Sequence, residues 1–147
     1  MKHFGSNFEH TEERNEDIMR AYMEEIGRCD QIYLPQVCDN IVNAPSKRFW
    51  VSAERAAIVI SSMMRGDTLE AMRPTKREMF REIYRRVKIL QEKHPEMSIS
   101  EMVLQVVQEP APKFYLTAGS AKVIIYRVRK QWFKKRSQEL RRLRLQR

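Results

Sequence analysis

Two stretches of this chain resemble each other closely enough to limit what it can fold into. The first is RFWVSAERAAIVI, residues 48–60, and the second is KFYLTAGSAKVII, residues 113–125. The two stretches are 65 residues apart, and with this constant offset and no gap, residues 34–64 align with residues 99–129. An internal similarity of this length predicts two copies of one structural unit.

Both halves have the apolar periodicity of helices. Apolar residues recur at intervals of three and four, for example at Met79, Ile83 and Val87, as one buried helical face requires. The alternation typical of strands is nowhere sustained. Gly66 is expected to end one helix and Pro74 to begin the next. We therefore expect an all-α protein of two tandem tri-helical repeats with a long basic C-terminal helix.

The duplication divides the chain into four parts. These are an acidic polar N-terminal tail at 1–14, a first tri-helical repeat at 15–66, a linker at 67–74, and a second tri-helical repeat at 75–147 that includes the extended basic helix. Each repeat has the order helix, helix, Pro-anchored turn, helix. We expect the two repeats to share one core.

The turn before each third helix carries matching residues in the two halves. A proline ends the second helix, an aromatic pair fills the gap between helices, and a hydroxyl residue caps the third helix. These structural turn anchors are Pro45, Phe49, Trp50 and Ser52 in the first half, and Pro110, Phe114, Tyr115 and Thr117 in the second. Behind each cap, small residues such as Ala56 and Ala121 allow the third helix to cross another helix closely.

This layout resembles helix-turn-helix, tri-helical DNA-binding domains over roughly residues 15–66 and 75–135. The resemblance implies that the third helix of each half corresponds to a recognition helix in the major groove. Another interpretation stays open. In that alternative, the halves are two copies of a helical hairpin plus one helix that pack on each other and contact no nucleic acid.

Positive charge is concentrated at the C-terminal end of the chain. The formal net charge is +9, which favours a polyanionic partner, and residues 113–147 contain twelve Lys and Arg against one acid. The third helix of the first repeat offers only Arg55 and Arg65 as bases, so we expect it to be mostly buried or to form a dimer surface. The candidate nucleic-acid-binding residues are Lys113, Lys122, Tyr126, Arg127, Arg129, Lys130, Lys134, Lys135 and Arg136.

Three interpretations of the C-terminal helix remain open, namely a solvated basic tail, a nucleic-acid-binding helix, and a helix that dimerises through its leucines. We expect a small non-enzymatic DNA-binding protein, architectural or regulatory, whose partner is double-stranded DNA and which can form a homodimer. The alternative is a helical protein-interaction or adaptor protein with a basic solubility tail. RNA binding is the third option.

Several other classes of protein are not expected. The chain lacks a Gly-rich phosphate loop, a Cys-x-x-Cys pair and a Ser-His-Asp order in a useful context, so we expect no enzyme, no cofactor, no metal and no small-molecule substrate. Cys29 and Cys38 are too few for a secreted disulfide scaffold. No apolar stretch is long enough for a membrane span or a signal peptide, and we expect a cytoplasmic protein without membrane contact.

Overall fold

The computed structural model describes residues 4–146, and six α-helices account for most of them. The helices are α1 (Phe4–Arg28), α2 (Leu34–Val42), α3 (Ala53–Met64), α4 (Pro74–Lys93), α5 (Ile99–Val107) and α6 (Ala118–Leu145). Between residues 4 and 146 there is no strand, and one isolated β-bridge joins Ser46 to Ala111. The all-α prediction is confirmed.

The helix ends follow from local chemistry. The side chains of Ser52, Ser98 and Thr117 are the N-caps of α3, α5 and α6, and each accepts a hydrogen bond from the amide three residues later. Pro74 begins α4, where its missing N–H leaves no bond unmade. α1 begins at Phe4, inside the segment expected to be a tail, while residues 1–3 lie outside the described residues.

The third helix of each half packs against the other half. α6 packs on α1 and α2, whereas α3 packs on α4 and α5. We call α1, α2 and α6 the first unit, and α3, α4 and α5 the second unit. Among residues 4–146, α3 makes no packing contact with α1 or α2, and α6 makes none with α4 or α5. The helices of 15–66 therefore do not pack together as one three-helix body, and neither do those of 75–147.

The exchange has a physical cause in two segments, residues 43–52 before α3 and residues 108–117 before α6, which we call the first and second junctions. Ser46 and Ala111 bond to each other through both backbone amides, and the two junctions pair antiparallel at this bridge. Antiparallel pairing directs the chain that leaves each junction toward the other half. One consequence is that α2 and α3 do not form the packed helix-turn-helix that the layout resembles.

The protein has two hydrophobic cores where one shared core was expected. Ile18, Ile41 and Ile125 are buried in the first unit, whose core also contains Phe114. The second unit buries Phe49 of the first half against α4 and α5. Each core therefore contains side chains from both halves, and neither half contains a complete core of its own.

A buried carboxylate ties α1 to the first junction. Asp17 is fully buried, and its Oδ1 accepts hydrogen bonds from the Arg20 guanidinium at 2.7 and 2.9 Å. Its Oδ2 accepts from the backbone N–H of Lys47 at 2.8 Å and from the indole N–H of Trp50 at 3.1 Å. These bonds offset the loss of water around the carboxylate and hold the junction against α1.

Candidate nucleic-acid interface

Helix α6 has a packed part and an exposed part. In the packed part, Ala121, Ile124 and Ile125 are buried against α1 and α2. Every residue from 131 to 145 is exposed. At about 1.5 Å per residue, this last stretch is a helix of about 22 Å with no cover from the rest of the protein.

The bases of α6 have no acidic partners among the residues that the structure describes. The helix contains ten Lys and Arg and a single acid, Glu139. Within the described residues, none of these ten bases forms an ion pair, whereas bases elsewhere, such as Arg20 and Arg86, do. An exposed helix with this charge attracts anions and carries a strong positive potential.

Bases surround the exposed part of α6, and two stripes can be distinguished among its side chains. Arg127, Lys130, Lys134 and Arg141 are spaced by three, four and seven residues, which places them within about 60° on the helix. We call these four residues the basic stripe. A separate flank carries the apolar stripe, whose side chains are 49–61% exposed. The apolar stripe consists of Trp132, Phe133, Leu140 and Leu143.

Most of the candidate residues on α6 lie on its exposed surface. Lys122 and Tyr126 are exposed in the packed part, and the Lys122 Nζ lies 5.9 Å from the centre of the Tyr126 ring. Lys130, Lys134, Lys135 and Arg136 are exposed further along, together with Arg127. These side chains are all free to contact a ligand that lies along α6.

Two candidate residues are placed differently. Lys113 lies in the second junction, where its ammonium group pairs with Glu78 of α4 and stacks 5.6 Å from the ring centre of Tyr115. Its charge is already compensated, and it is separate from the basic stripe. Arg129 is half-buried and donates a 3.5 Å hydrogen bond to the Tyr22 hydroxyl, so part of its role is to hold α6 on α1.

The turn anchors hold the two junctions in place. Phe49 and Phe114 are buried in the cores of opposite units. The carbonyl oxygens of Pro45 and Pro110 accept hydrogen bonds from the guanidinium groups of Arg20 and Arg86, at 3.3 and 3.0 Å. The second junction therefore fixes where α6 starts.

One base near α6 was missed from the sequence. Arg14 of α1 is half-buried, and its pKa is lowered by burial and by the positive charge of Arg127. Arg14 therefore lies close enough to Arg127 for their positive charges to repel each other. Sequence alone gave no signal, because Arg14 stands among acids and its neighbour on α6 is more than one hundred residues away.

Two other kinds of feature are absent from the described part of the chain. Residues 4–146 contain no group of three His, Cys, Asp or Glu side chains arranged to hold a metal ion. None of the helices in that range has both the length and the apolar character needed to cross a membrane.

No known protein family, curated protein or solved structure matches this chain.

Proposed function

We propose that this protein is a non-enzymatic DNA-binding protein that attaches to duplex DNA through α6. The observation that supports this most is the set of ten bases on one largely exposed helix, none of which pairs with an acid within residues 4–146. Bases that lack protein partners are available to neutralise phosphates, and each neutralised phosphate releases counterions.

The dimensions of α6 suit the major groove. That groove is about 12 Å wide and admits an α-helix, whose diameter with side chains is about 10–12 Å. The stretch 131–145 is exposed all around and spans about 22 Å, so it can enter a groove without a clash from the body. Lys and Arg on both sides of the helix axis then reach the phosphates of both strands.

DNA fits this helix better than duplex RNA does. The major groove of A-form RNA is deep and narrow, and side chains on a helix cannot enter it as they enter B-DNA. The proposed contact is mainly with phosphates, and it implies little sequence preference and an architectural role. Tyr126 is the residue of the packed part that is best placed to approach a base edge.

A second candidate function is supported by the apolar stripe of α6. Four large side chains on one exposed flank favour a helix–helix contact, either with a second copy or with another protein. Replacement of Trp132 and Leu140 by Gln distinguishes the two functions. Under the DNA proposal these changes leave duplex affinity nearly unchanged, whereas under the adaptor or dimer function they abolish self-association or partner binding.

The arrangement of helices supports tandem repeats as part of this proposal. The offset in numbering between the starts of α2 and α5 is the same as that between the starts of α3 and α6. Gly66, with a φ of 104°, follows the end of α3, and its counterpart by the same offset is Gln131. We propose that both halves derive from one unit, and that loss of the glycine let α6 continue into the basic extension.

The proposal is tested with matched charge-removal variants of the full chain. One variant replaces Arg127, Lys130 and Lys134 by Ala. The control variant replaces Arg55, Arg65 and Lys93, which are also exposed and lack acidic partners within residues 4–146. Affinity for a mixed-sequence duplex is measured across a salt series.

We expect the α6 variant to bind more weakly, with a salt slope reduced by about 2 to 3, since three phosphate contacts are lost. The control variant keeps the affinity and slope of the unmodified chain to within a small non-specific loss. Equal losses in the two variants would mean that net charge, and not α6, governs binding.

A further inference from the structure

A second unpaired basic surface lies on α4, in the other three-helix unit. Arg77, Arg81, Tyr84 and Lys88 are spaced by four, three and four residues and fall within about 60° on the helix. We call these residues the α4 stripe. Arg81 and Lys88 are exposed, and the Lys88 Nζ lies 6.0 Å from the ring centre of Tyr84.

The acids of α4 that form ion pairs are engaged on a different flank. Glu82 bonds to Arg85 and Arg86, and Glu78 pairs with Lys113. Within the described residues, none of the three bases of the α4 stripe pairs with an acid, and the Arg77 side chain donates a hydrogen bond to the Met72 carbonyl oxygen at 3.4 Å. The stripe is therefore a free positive surface, complementary to phosphates over about 16 Å of helix.

The bases of the α4 stripe are not among the α4 residues that contact the chain leading into α6. Arg86 bonds to Glu109 and to the Pro110 carbonyl, and Glu78 bonds to Lys113, so this flank of α4 faces the second junction. Around the helix, the stripe lies about 140° or more from Arg86 and about 60° or more from Glu78. Among the helices within residues 4–146, α4 contacts α3 and α5 but no others, while α6 contacts α1 and α2 but no others.

We propose that the α4 stripe binds a second segment of duplex DNA while α6 holds the first, so that one molecule bridges two duplexes. This inference rests on the proposed function, since it assumes that α6 binds DNA. Duplex DNA is stiff, with a persistence length of about 50 nm, so bending a short segment around the protein to reach both helices is energetically unfavourable. A second duplex can bind the α4 stripe without any bending of the first one.

A capture assay tests the bridge with the full chain. One duplex of about 30 base pairs, short enough to stay straight, is fixed to beads, and a second, fluorescent copy is added with the protein. A gel-shift titration with the same duplex measures binding to a single segment. The test variant replaces Arg77, Arg81 and Lys88 by Ala, and the control variant is again Arg55, Arg65 and Lys93 replaced by Ala.

The unmodified chain and the control variant should capture the second duplex. The α4 variant should capture at least about tenfold less of the second duplex than the unmodified chain does. Its single-duplex affinity should stay within about threefold of that of the unmodified chain, because its α6 is intact. The bridge is wrong if the unmodified chain binds one duplex and captures no second one. It is also wrong if the α4 variant captures normally, which would assign bridging to self-association, or if capture and single-duplex affinity fall together. Absence of any single-duplex binding would overturn the proposed function as well.

Discussion

Ser46 and Ala111 exchange two backbone hydrogen bonds, with N···O distances of 3.0 and 3.1 Å, although they lie in different halves of the chain. Around this bridge the bonds are reciprocal. The N–H of Phe49 donates to the Val107 carbonyl, and the N–H of Phe114, its equivalent in the second half, donates to the carbonyl of Val42, each at 3.1 Å. Four backbone hydrogen bonds therefore tie the two junctions together, and the third helix after each junction packs on helices of the other half.

The exchange predicts that neither half folds alone as a monomer. Fragments 1–70 and 71–147 contain α1–α3 and α4–α6, so neither fragment contains all three helices of either unit. We expect each purified fragment to lack a cooperative thermal transition as a monomer, and an equimolar mixture to regain the helical circular dichroism signal of the intact chain. A monomeric fragment that unfolds cooperatively on its own would contradict the exchanged packing.

Asp17 is expected to be the most sensitive polar position of the first unit. Asp17→Ala leaves the N–H groups of Lys47 and Trp50 without their acceptor and removes the partner of Arg20. We expect the free energy of unfolding to fall by about 3 kcal/mol, measured by urea denaturation. Glu24→Ala removes the other, half-exposed partner of Arg20 and should cost less than about 1 kcal/mol. Equal costs for the two variants would show that burial of Asp17 has no special importance.

Tyr115 should make stability fall at high pH. Burial, and then the negative charges of Glu82 and Glu78, raise its pKa to about 12. In the unfolded chain the pKa is about 10, so the folded state favours the neutral phenol. This contribution is complete below pH 10 and is lost as the pH rises from about 10 through 12.

The measurement compares the unmodified chain with Tyr115→Phe by urea denaturation at pH 9 and at pH 11. The unmodified chain should lose more stability between the two values, because the variant has no phenol to ionise at this site. An identical loss in both chains would show that Tyr115 does not titrate as expected.

The helical continuity of α6 can be separated from its charge. Gln131→Pro keeps every base but removes an intrahelical hydrogen bond and kinks the helix where the exposed stretch begins. If the extension must enter a groove as a straight helix, duplex affinity should fall by about tenfold, or about 1.4 kcal/mol. Gln131→Ala is the control and should bind as the unmodified chain does. Unchanged affinity in the proline variant would indicate that only the number of charges matters.

Local features of the fold follow from the sequence, and the partners of each helix do not. Ser52 and Thr117 cap helices because a hydroxyl before a helical run satisfies an orphan amide, which is a local property. The apolar periodicity states which face of α3 is buried but not against which helix. Phe49 and Phe114 are the same residue type in equivalent positions, so packing within a half and packing across the two halves satisfy the same pattern.

For the candidate site too, the charge of the helix was predictable from the sequence, but the tertiary contacts of individual bases were not. The charge of α6 is visible in the composition of residues 118–145, since bases there have almost no acids nearby in sequence. The separate placement of Lys113 and Arg129 was not predictable, because it depends on Glu78 and Tyr22, which come close only in the folded chain. The helical start at Phe4 was missed because polar, acidic residues dominate that segment.

The binding of DNA by α6 is tested most directly by the affinity for a mixed-sequence duplex across a salt series, for the full chain and for a chain that ends at Lys130. The shortened chain lacks the exposed extension and its bases but keeps every buried residue of both cores. We predict steep salt dependence for the full chain and a clearly weaker affinity and smaller slope for the shortened chain. Equal binding by both chains, or no binding at low salt by a well-folded full chain, would contradict the account.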